Sequence, residues 1–461
     1  MEEQKMNAPD ALWRPMTQHK TLLTNRPKHI VRAEGCFMIN EAGDRILDST
    51  AGLWCVNVGH GRKELAEVAK AQMEKLAYVI PVMTSDPAVE LSAKMLEMLG
   101  MDKGHVYFTS SGSEANETAF KIVRQYHLQS GNPRKSKIIS RHRAYHGNTL
   151  ATMTATGQAE RKIGYEPLAP GFLHVPPPYP YRRHEKLTVE EHGLECAKFF
   201  EDTIIHEGEE TVAAFIMEPM ISGGGILVPP DNYLPEIRKI CDKYNVLLIM
   251  DEVVSGFGRT GKMFGHEHWG VKADIFTFAK GMASGYMPIA ATVVKEKIFE
   301  AFYGEANELK HFRQVNTYGG HPVATAVSLK NIEIVERENL VANAAKMETY
   351  IKGRLNEFSD HPYVGEIRGK GLLLGIELVS NKEKKTPLEM AQANAILQNC
   401  LKQGVSLMRN GYTVPGLGNI LIMAPPLILQ ESEADMIVDA IGNALKPVSY
   451  THLTLPTTPY V

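Results

Sequence analysis

A lysine and an aspartate each come directly after an apolar run of the sequence. Lys280 follows residues 274–279, and Asp251 follows residues 246–250. In a doubly wound α/β sheet, residues just past the carboxyl ends of the strands meet in one crevice, so these two side chains can share a ligand. Pyridoxal phosphate requires such a pair: an amine that forms a Schiff base, and a carboxylate that keeps the pyridine nitrogen protonated. The pair predicts a pyridoxal phosphate site.

Other polar positions also follow predicted strands at the same end of the sheet. Ser111, Gly112 and Ser113 follow residues 105–109, Tyr145 follows residues 137–140, and Glu218 follows residues 212–217. A single polar residue after a strand is ordinarily part of a turn. The joint placement of all these positions favours a functional crevice instead.

Residues 109–116 (TSSGSEAN) lead into a helical pattern over residues 114–129. Backbone N–H groups and serine hydroxyls at the start of a helix face the positive end of its dipole, which suits a phosphate. The alternative is an ordinary serine N-cap, with Glu117 placed for support in a capping box.

Two patterns point to other chemistry. Residues 256–261 (GFGRTG) match GxGxxG, but they do not directly follow their strand and no convincing helix follows them, so a nicotinamide dehydrogenase is a weak alternative. Histidines that invite a metal site lie mostly in loop-like sequence without HExxH, so surface or hydrogen-bonding roles are favoured. These are His142, His146, His266 and His268.

Strand-like runs alternate with helical stretches from about residue 105 onward, which predicts an α/β fold with a mostly parallel central sheet covered by helices. After about residue 330 the pattern changes to a long amphipathic stretch reaching residue 358, a glycine-hinged strand pattern at 369–378 and two more helices. We therefore expect a large cofactor-binding domain over residues 61–330. A smaller α+β domain over 331–448 is joined by the N-terminal segment 1–60.

Composition excludes several classes of function. The 461 residues include 50 Lys and Arg against 53 Asp and Glu, with no block of like charges, so a nucleic-acid partner is not expected. No apolar stretch is long enough to span a membrane and no signal peptide is evident, so a cytoplasmic enzyme is expected. Five scattered cysteines predict reduced, mostly buried thiols. Residues 449–461 contain no Asp, Glu, Lys or Arg and are typical of a non-native, disordered tail.

Taken together, the motifs resemble those of the class III pyridoxal-phosphate aminotransferases. The resemblance runs to about residue 447 and is carried by residues 108–116, 145–147, 217–219, 250–261, 279–281 and 317–322. Residues 12–19 and 52–59 further resemble the ω-transaminases, which pass amino groups from taurine, β-alanine or simple amines to pyruvate.

The resemblance implies a fold type I homodimer, or a tetramer of such dimers, with active sites at the subunit interface. Lys280 would carry the Schiff base, and Asp251 would pair with the pyridinium. Tyr145 and Val253 would contact the two faces of the ring, and Glu218 would lie near the ring hydroxyl. The phosphate would be held by Ser111, Gly112 and Ser113, with Thr317 reaching in from the partner chain.

The resemblance also implies the reaction. An ω-amino acid, taurine or simple amine would give its amino group to pyruvate in a ping-pong transfer, producing alanine and an aldehyde or ketone. Substrate choice would lie with Leu53, Trp54, Tyr145, residues 78–84 and Arg409, the last pairing with the acceptor carboxylate. An aminomutase, racemase or decarboxylase using the same cofactor is the alternative within this class.

Overall fold

The computed structural model describes residues 11–23, 27–411 and 413–448, so the tail 449–461 lies outside the described residues. The strands, numbered β1 to β16 in chain order, are Ile30–Glu34, Phe37–Asn40, Arg45–Asp48, Gly104–Thr109, Lys137–Arg141, Phe172–Val175, Val212–Met217, Leu247–Asp251, Ile275–Phe278, Ala290–Lys295, Val364–Lys370, Leu373–Asn381, Thr386–Pro387, Val405–Ser406, Met408–Arg409 and Ile420–Met423.

The α-helices of the described chain are Ala51–Trp54, Lys63–Lys75, Asp86–Met98, Gly112–Gln129, Leu150–Ala155, Val189–Glu207, Tyr233–Lys243, Glu296–Glu300, Pro322–Arg337, Leu340–Leu355, Met390–Lys402 and Glu431–Val448. Short 3-10 turns add His19–Leu23, Ala159–Arg161, Pro180–Arg182, Gly265–His268, Lys280–Met282 and Asn356–Phe358.

The largest sheet has the strand order β4-β10-β9-β8-β7-β5-β6. Neighbouring strands from β6 through β9 are parallel, whereas β10 runs antiparallel to both β9 and β4. The predicted α/β fold with a mostly parallel sheet is confirmed. Because β4 runs antiparallel to β10, its carboxyl end lies at the same edge as those of β5 to β9, and the polar residues that follow these strands share that edge.

Strands β7 and β8 are buried along their whole length, which is why their sequences are almost continuously apolar. Helix Val189–Glu207 covers one face, and the ring of its Phe200 stacks on Phe215 of β7 with centroids 4.3 Å apart. A core packed on both faces fixes the strand ends, so the crevice at their carboxyl edge has rigid walls.

The expected long amphipathic stretch to residue 358 is wrong in one respect. It is broken into Pro322–Arg337 and Leu340–Leu355, and Asn339 between them has a left-handed backbone with φ of 52°. Asparagine is one of the few residues that tolerate this conformation, so a single residue turns the chain between two helices.

The glycine-hinged pattern at 369–378 contains the end of β11, the hairpin turn and most of β12. Gly371 has φ of 55°, and an added Cβ would lie 2.2 Å from the carbonyl carbon of Thr260, so only glycine fits there. The hairpin belongs to the sheet β11-β12-β16-β15, and a separate sheet has the order β1-β2-β3-β14. In the latter, Val405 pairs in parallel with Leu47, which supports the proposal that the N-terminal segment joins the smaller domain.

The GxGxxG stretch at 256–261 forms successive turns and does not open a helix. An added Cβ at Gly261 would lie 3.1 Å from the Cα of Ala345, on helix Leu340–Leu355. At least this glycine therefore serves close packing against a helix, and the context that a dinucleotide site requires is missing.

Four of the five cysteines are buried and Cys55 is half-buried, as predicted for mostly buried thiols. Among the helices of the described ranges, none is long and apolar enough to cross a membrane.

Candidate active site

The carboxylate of Asp251 lies buried at the end of β8. Its Oδ2 atom accepts a hydrogen bond from Nδ2 of Asn116 at 2.9 Å and lies 2.8 Å from Nδ1 of His146. Its Oδ1 atom accepts a hydrogen bond from the backbone N–H of Val253 at 3.1 Å. Because both oxygens are held, the carboxylate has one orientation and its negative charge has a fixed position.

Asn116 ties this carboxylate to the neighbouring strand. Its Oδ1 accepts a hydrogen bond from the Thr277 hydroxyl at 2.7 Å, and its Nδ2 also donates to the backbone carbonyl of His146 at 2.7 Å. With its amide oxygen and nitrogen both engaged, the side chain cannot flip without losing partners. The sequence motif at 109–116 contained Asn116, but nothing in its spacing identified it as a partner of Asp251.

His146 confirms the prediction of hydrogen-bonding histidines. The imidazole is buried against Asp251, and its Nε2 atom is buried without a partner in the described chain. The backbone N–H of His146 donates to the hydroxyl of Thr156 at 2.9 Å, which anchors the loop that carries the ring. His266 has a similar environment, because its Nδ1 lies 2.8 Å from the buried carboxylate of Glu252.

Lys280 is the first residue of the turn Lys280–Met282, and only Ala279 separates it from the end of β9. Its backbone has φ of 46°, a left-handed conformation that costs a non-glycine residue about 1 kcal/mol. Gly281 follows in a position where an added Cβ would lie 2.4 Å from Nδ2 of Asn57. Nζ of Lys280 lies 5.7 Å from the centroid of the Trp54 ring, so this turn brings the amine and the indole together.

The Lys280 amine is set in a low-dielectric environment with negative groups nearby. Burial lowers the pKa of Lys280, while the charges of Asp251 and Glu218 act in the opposite direction. A lowered pKa increases the fraction of neutral amine near pH 7, and only the neutral amine is a nucleophile or a base.

The carboxylate of Glu218 is also buried, just past the end of β7. One oxygen accepts hydrogen bonds from the backbone N–H and hydroxyl of Ser222, and the other accepts from the backbone N–H of Tyr145 at 3.1 Å. Burial raises the pKa of Glu218. The backbone carbonyl of Glu218 accepts a hydrogen bond from the buried guanidinium of Arg141, which lies below the crevice.

Ser111 is the N-cap of helix Gly112–Gln129, and its Oγ accepts the backbone N–H of Glu114 at 3.2 Å. The prediction that Glu117 supports a capping box at this helix start is wrong. The glutamate that contacts the backbone before the helix is Glu114, which accepts a hydrogen bond from the N–H of Ser110 at 2.7 Å. Glu117 accepts hydrogen bonds from the Thr149 hydroxyl and the N–H of Ala151, at the start of helix Leu150–Ala155. Spacing alone did not distinguish the two glutamates, since both lie in the first turns.

The cap leaves the first N–H groups of this helix, those of Gly112 and Ser113, without an intrahelical acceptor. An added Cβ at Gly112 would lie 3.1 Å from both methyl groups of Val253, so the helix start packs closely on that side chain. The Ser113 hydroxyl donates to Oδ1 of Asn148 at 2.9 Å. An eighteen-residue helix with free N–H groups at its start can bind an anion such as phosphate.

Tyr145 is half-buried, and the Cζ atom of Arg161 lies 4.8 Å from the centroid of its ring. Burial raises the pKa of Tyr145, so its phenol is neutral at physiological pH. Val253 packs with Ala115, Ala279 and Ala290 between the helix start and the strands.

The substrate-specificity residues predicted from sequence lie in different surroundings. Trp54 has φ of 59° in a kinked turn, and its Nε1 is buried with no partner among the described residues, whereas the Leu53 side chain is exposed. Arg409 lies on β15, where Nε donates to Oδ1 of Asn394 at 2.7 Å and Nη1 to the carbonyl of Gly418 at 3.3 Å. In the described chain Arg409 makes no hydrogen bond to Lys280 or its neighbours. Thr317 is exposed.

Comparison with known proteins identifies the family. The family model for aminotransferase class-III matches residues 22–445. An uncharacterized aminotransferase, YhxA of Bacillus subtilis, is 48% identical over 90% of this chain and 91% of that protein. A taurine–pyruvate aminotransferase of Bilophila wadsworthia is 42% identical over 95% of each chain. The crystal structure of a Bacillus anthracis aminotransferase superposes with a TM-score of 0.93 at 45% identity, covering 97% of this chain and 98% of that one. The chain belongs to the class III aminotransferases.

Pyridoxal 5′-phosphate is the cofactor of this enzyme, as of its family. The chain offers the groups that the cofactor needs: an amine with a lowered pKa at Lys280, a fixed carboxylate at Asp251 and an anion-binding helix start at Gly112. A larger residue at Gly112 would press on the methyl groups of Val253, which would have to shift to admit it. These surroundings fit a flat, phosphorylated aldehyde.

We expect the Lys280 amine of the cofactor-free protein to titrate below about 10.4, the ordinary value for lysine, because burial lowers its pKa. The Asp251→Asn substitution should lower the titration midpoint of the Lys280 amine further, because it removes a negative charge that raises the pKa of Lys280. The rate of acylation of Lys280, followed by peptide mass spectrometry across pH, measures both. A midpoint at or above the ordinary value, or an upward shift in the variant, would contradict the assignment.

Proposed function

We propose that the enzyme transfers the amino group of an ω-amino acid, taurine or a simple amine to pyruvate in a ping-pong reaction, giving alanine and an aldehyde or ketone. The observation that carries this proposal is the buried Lys280 amine beside the fixed Asp251 carboxylate, in a chain 42% identical to a taurine–pyruvate aminotransferase. The amino group remains on the enzyme between the departure of the first product and the binding of pyruvate.

Lys280 attaches the cofactor and then moves protons. When bound, pyridoxal phosphate supplies a conjugated ring that accepts the electron pair released as the substrate C–H bond breaks. With the cofactor bound, the Lys280 amine would accept the proton that leaves the substrate carbon and then donate it again, acting first as the base and then as the acid of the amino transfer. Its lowered pKa makes this exchange efficient near neutral pH.

Asp251 would keep the pyridine nitrogen of the bound cofactor protonated, and the contacts with Asn116 and His146 hold its carboxylate in one orientation. Glu218 lies beside the Tyr145 backbone and orients the groups near the ring hydroxyl. Tyr145 would contact one face of the bound cofactor ring and Val253 the other. The carboxylates of Asp251 and Glu218 are already held by hydrogen bonds before a substrate binds, so little reorganisation of these two groups is needed during the reaction.

Ser111, Gly112 and Ser113 would bind the phosphate of the cofactor, and Thr317 of the partner subunit would complete the site in a homodimer. Tyr78 supports this role, because its hydroxyl donates to the Thr317 carbonyl at 3.0 Å. Large apolar side chains are exposed around this point, including Val82, Val315 and Tyr318. Contiguous exposed apolar surface marks protein contacts.

A cavity of about 350 Å³ on the same surface strengthens the dimer proposal. It is lined by parts of residues 79–92, 106–108 and 314–320, and it does not include Lys280 or Asp251. A second copy of the chain can insert side chains there and bring its Thr317 to the phosphate.

Substrate choice lies with Leu53, Trp54, Tyr145, residues 78–84 and Arg409. Arg409 binds the carboxylate of pyruvate and turns away for a donor that has none. Its present partners, the amide of Asn394 and a backbone carbonyl, are neutral groups. A carboxylate is a stronger partner for guanidinium than either, so the exchange is favourable.

The Lys280→Ala variant should lose alanine formation almost completely, because the attachment point and the proton-transfer amine are the same group. The assay follows alanine formed from pyruvate with taurine, β-alanine and a simple amine as donors. Lys272→Ala, at an exposed lysine, is the matched control and should retain wild-type turnover. Substantial turnover by Lys280→Ala would refute the proposal.

The Arg409→Ala variant should lose about ten- to a hundredfold in kcat/KM for pyruvate, the range expected for one charge-assisted pair. Its half-reaction with a carboxylate-free amine should lose much less. Separate half-reactions, followed by absorbance in stopped flow, measure the two effects. Equal losses in both half-reactions would rule out a role in acceptor binding.

A further inference from the structure

Arg161 is a cation beside the active site that has no carboxylate partner in the described chain. It ends the turn Ala159–Arg161 and is half-buried. Its Nε donates to Oε1 of Gln158 at 2.6 Å, and its Nη1 meets the weak acceptor Sδ of Met16 at 3.9 Å. The outer edge of the guanidinium, with Nη1 and Nη2, is therefore available to a stronger acceptor.

Gln158 sets the orientation of this guanidinium. The Gln158 side chain is buried, and its Nε2 donates to the backbone carbonyl of Arg143 at 3.0 Å, so its Oε1 must point toward Arg161. Arg143, whose carbonyl accepts this hydrogen bond, has a left-handed backbone with φ of 69°. A buried amide that fixes Nε leaves the two terminal nitrogens in a defined plane, which suits bidentate binding of an acid group.

The position of Arg161 relative to the reacting groups is given by two contacts. Its Cζ lies 4.8 Å from the centroid of the Tyr145 ring. Gln158 borders the same small space as Trp54, because an added Cβ at Gly223 would lie 3.5 Å from Nε2 of Gln158 and 3.4 Å from the Trp54 ring. The Lys280 amine also faces Trp54, and the positive charge of Arg161 contributes to the lowered pKa of Lys280.

We propose that Arg161 binds the acid group, sulfonate or carboxylate, that an ω-amino acid donor carries at the end distal to its amine. This inference rests on the proposed function and narrows it to donors with an acid group. Arg409 then serves the acceptor and Arg161 the donor, so one crevice accommodates two anions without a single arginine serving both. Sulfonate and carboxylate both accept two hydrogen bonds from a guanidinium fork.

The test compares donors that differ in the acid group. Taurine and β-alanine are each compared with n-propylamine in the donor half-reaction, which proceeds without pyruvate. In Arg161→Gln, the ratio of kcat/KM for the acid donor to that for propylamine should fall about ten- to a hundredfold. Arg161→Lys keeps the positive charge but lacks the two parallel N–H donors of a guanidinium. Its donor ratio should lie between those of the wild type and Arg161→Gln. The separate taurine and β-alanine ratios show which acid group is preferred.

Lys162→Gln is the matched control, because it removes a neighbouring positive charge. The Lys162 ammonium is bonded to the carbonyl of Thr154 at 3.0 Å and lies 3.3 Å from Nε2 of His174. We expect its donor ratio to equal that of the wild type. If the donor ratio fell equally in Lys162→Gln, the effect would come from the loss of any nearby positive charge. That result would overturn the assignment of Arg161.

A binding measurement provides a readout independent of turnover. Ethanesulfonate has the acid group of taurine but no amine, and its calorimetric affinity for the cofactor-loaded enzyme should fall about tenfold or more in Arg161→Gln. An unchanged affinity together with an unchanged donor ratio would show that Arg161 only stacks on Tyr145. Failure of the proposed function is distinct, since the wild type would then transfer no amino group from any of these donors.

Discussion

The fixed orientation of the Asp251 carboxylate is the constraint on which the rest of the site depends. A buried carboxylate without partners would become protonated and lose its charge. Asn116, His146 and the Val253 backbone supply its hydrogen bonds, and they come from a helix, a loop and the same strand end. The Asp251 carboxylate therefore takes its orientation only when all these elements are folded, so the geometry of the site depends on the packing around the large sheet.

Left-handed backbone conformations occur at two residues of the candidate site. Lys280 and Trp54 both have positive φ, although neither is glycine. Such conformations persist only where the surrounding structure enforces them. Here the buried strand β9 before Lys280 and the close contact of Gly281 with Asn57 provide that enforcement. The amine and the indole are consequently presented to the crevice by rigid turns.

Sequence was sufficient for the central sheet and for the placement of Asp251 and Lys280, because buried strands give long apolar runs and the residues after them share one edge. It was insufficient for Asn116 and Arg161. Asn116 lies within a helix where an amide has no distinguishing pattern, and the sequence does not show that the turn ending at Arg161 brings this residue against the Tyr145 ring. Pairwise contacts between distant segments have no local signature in a single chain.

If Lys280 alone holds the cofactor, reduction of the holoenzyme with borohydride followed by peptide mapping will show it. Hydride converts a Schiff base to a stable secondary amine, so the label remains on the side chain that formed it. We expect a single modified peptide, with the pyridoxyl group on Lys280. Modification of a different lysine, or no stable modification of the holoenzyme, would contradict it.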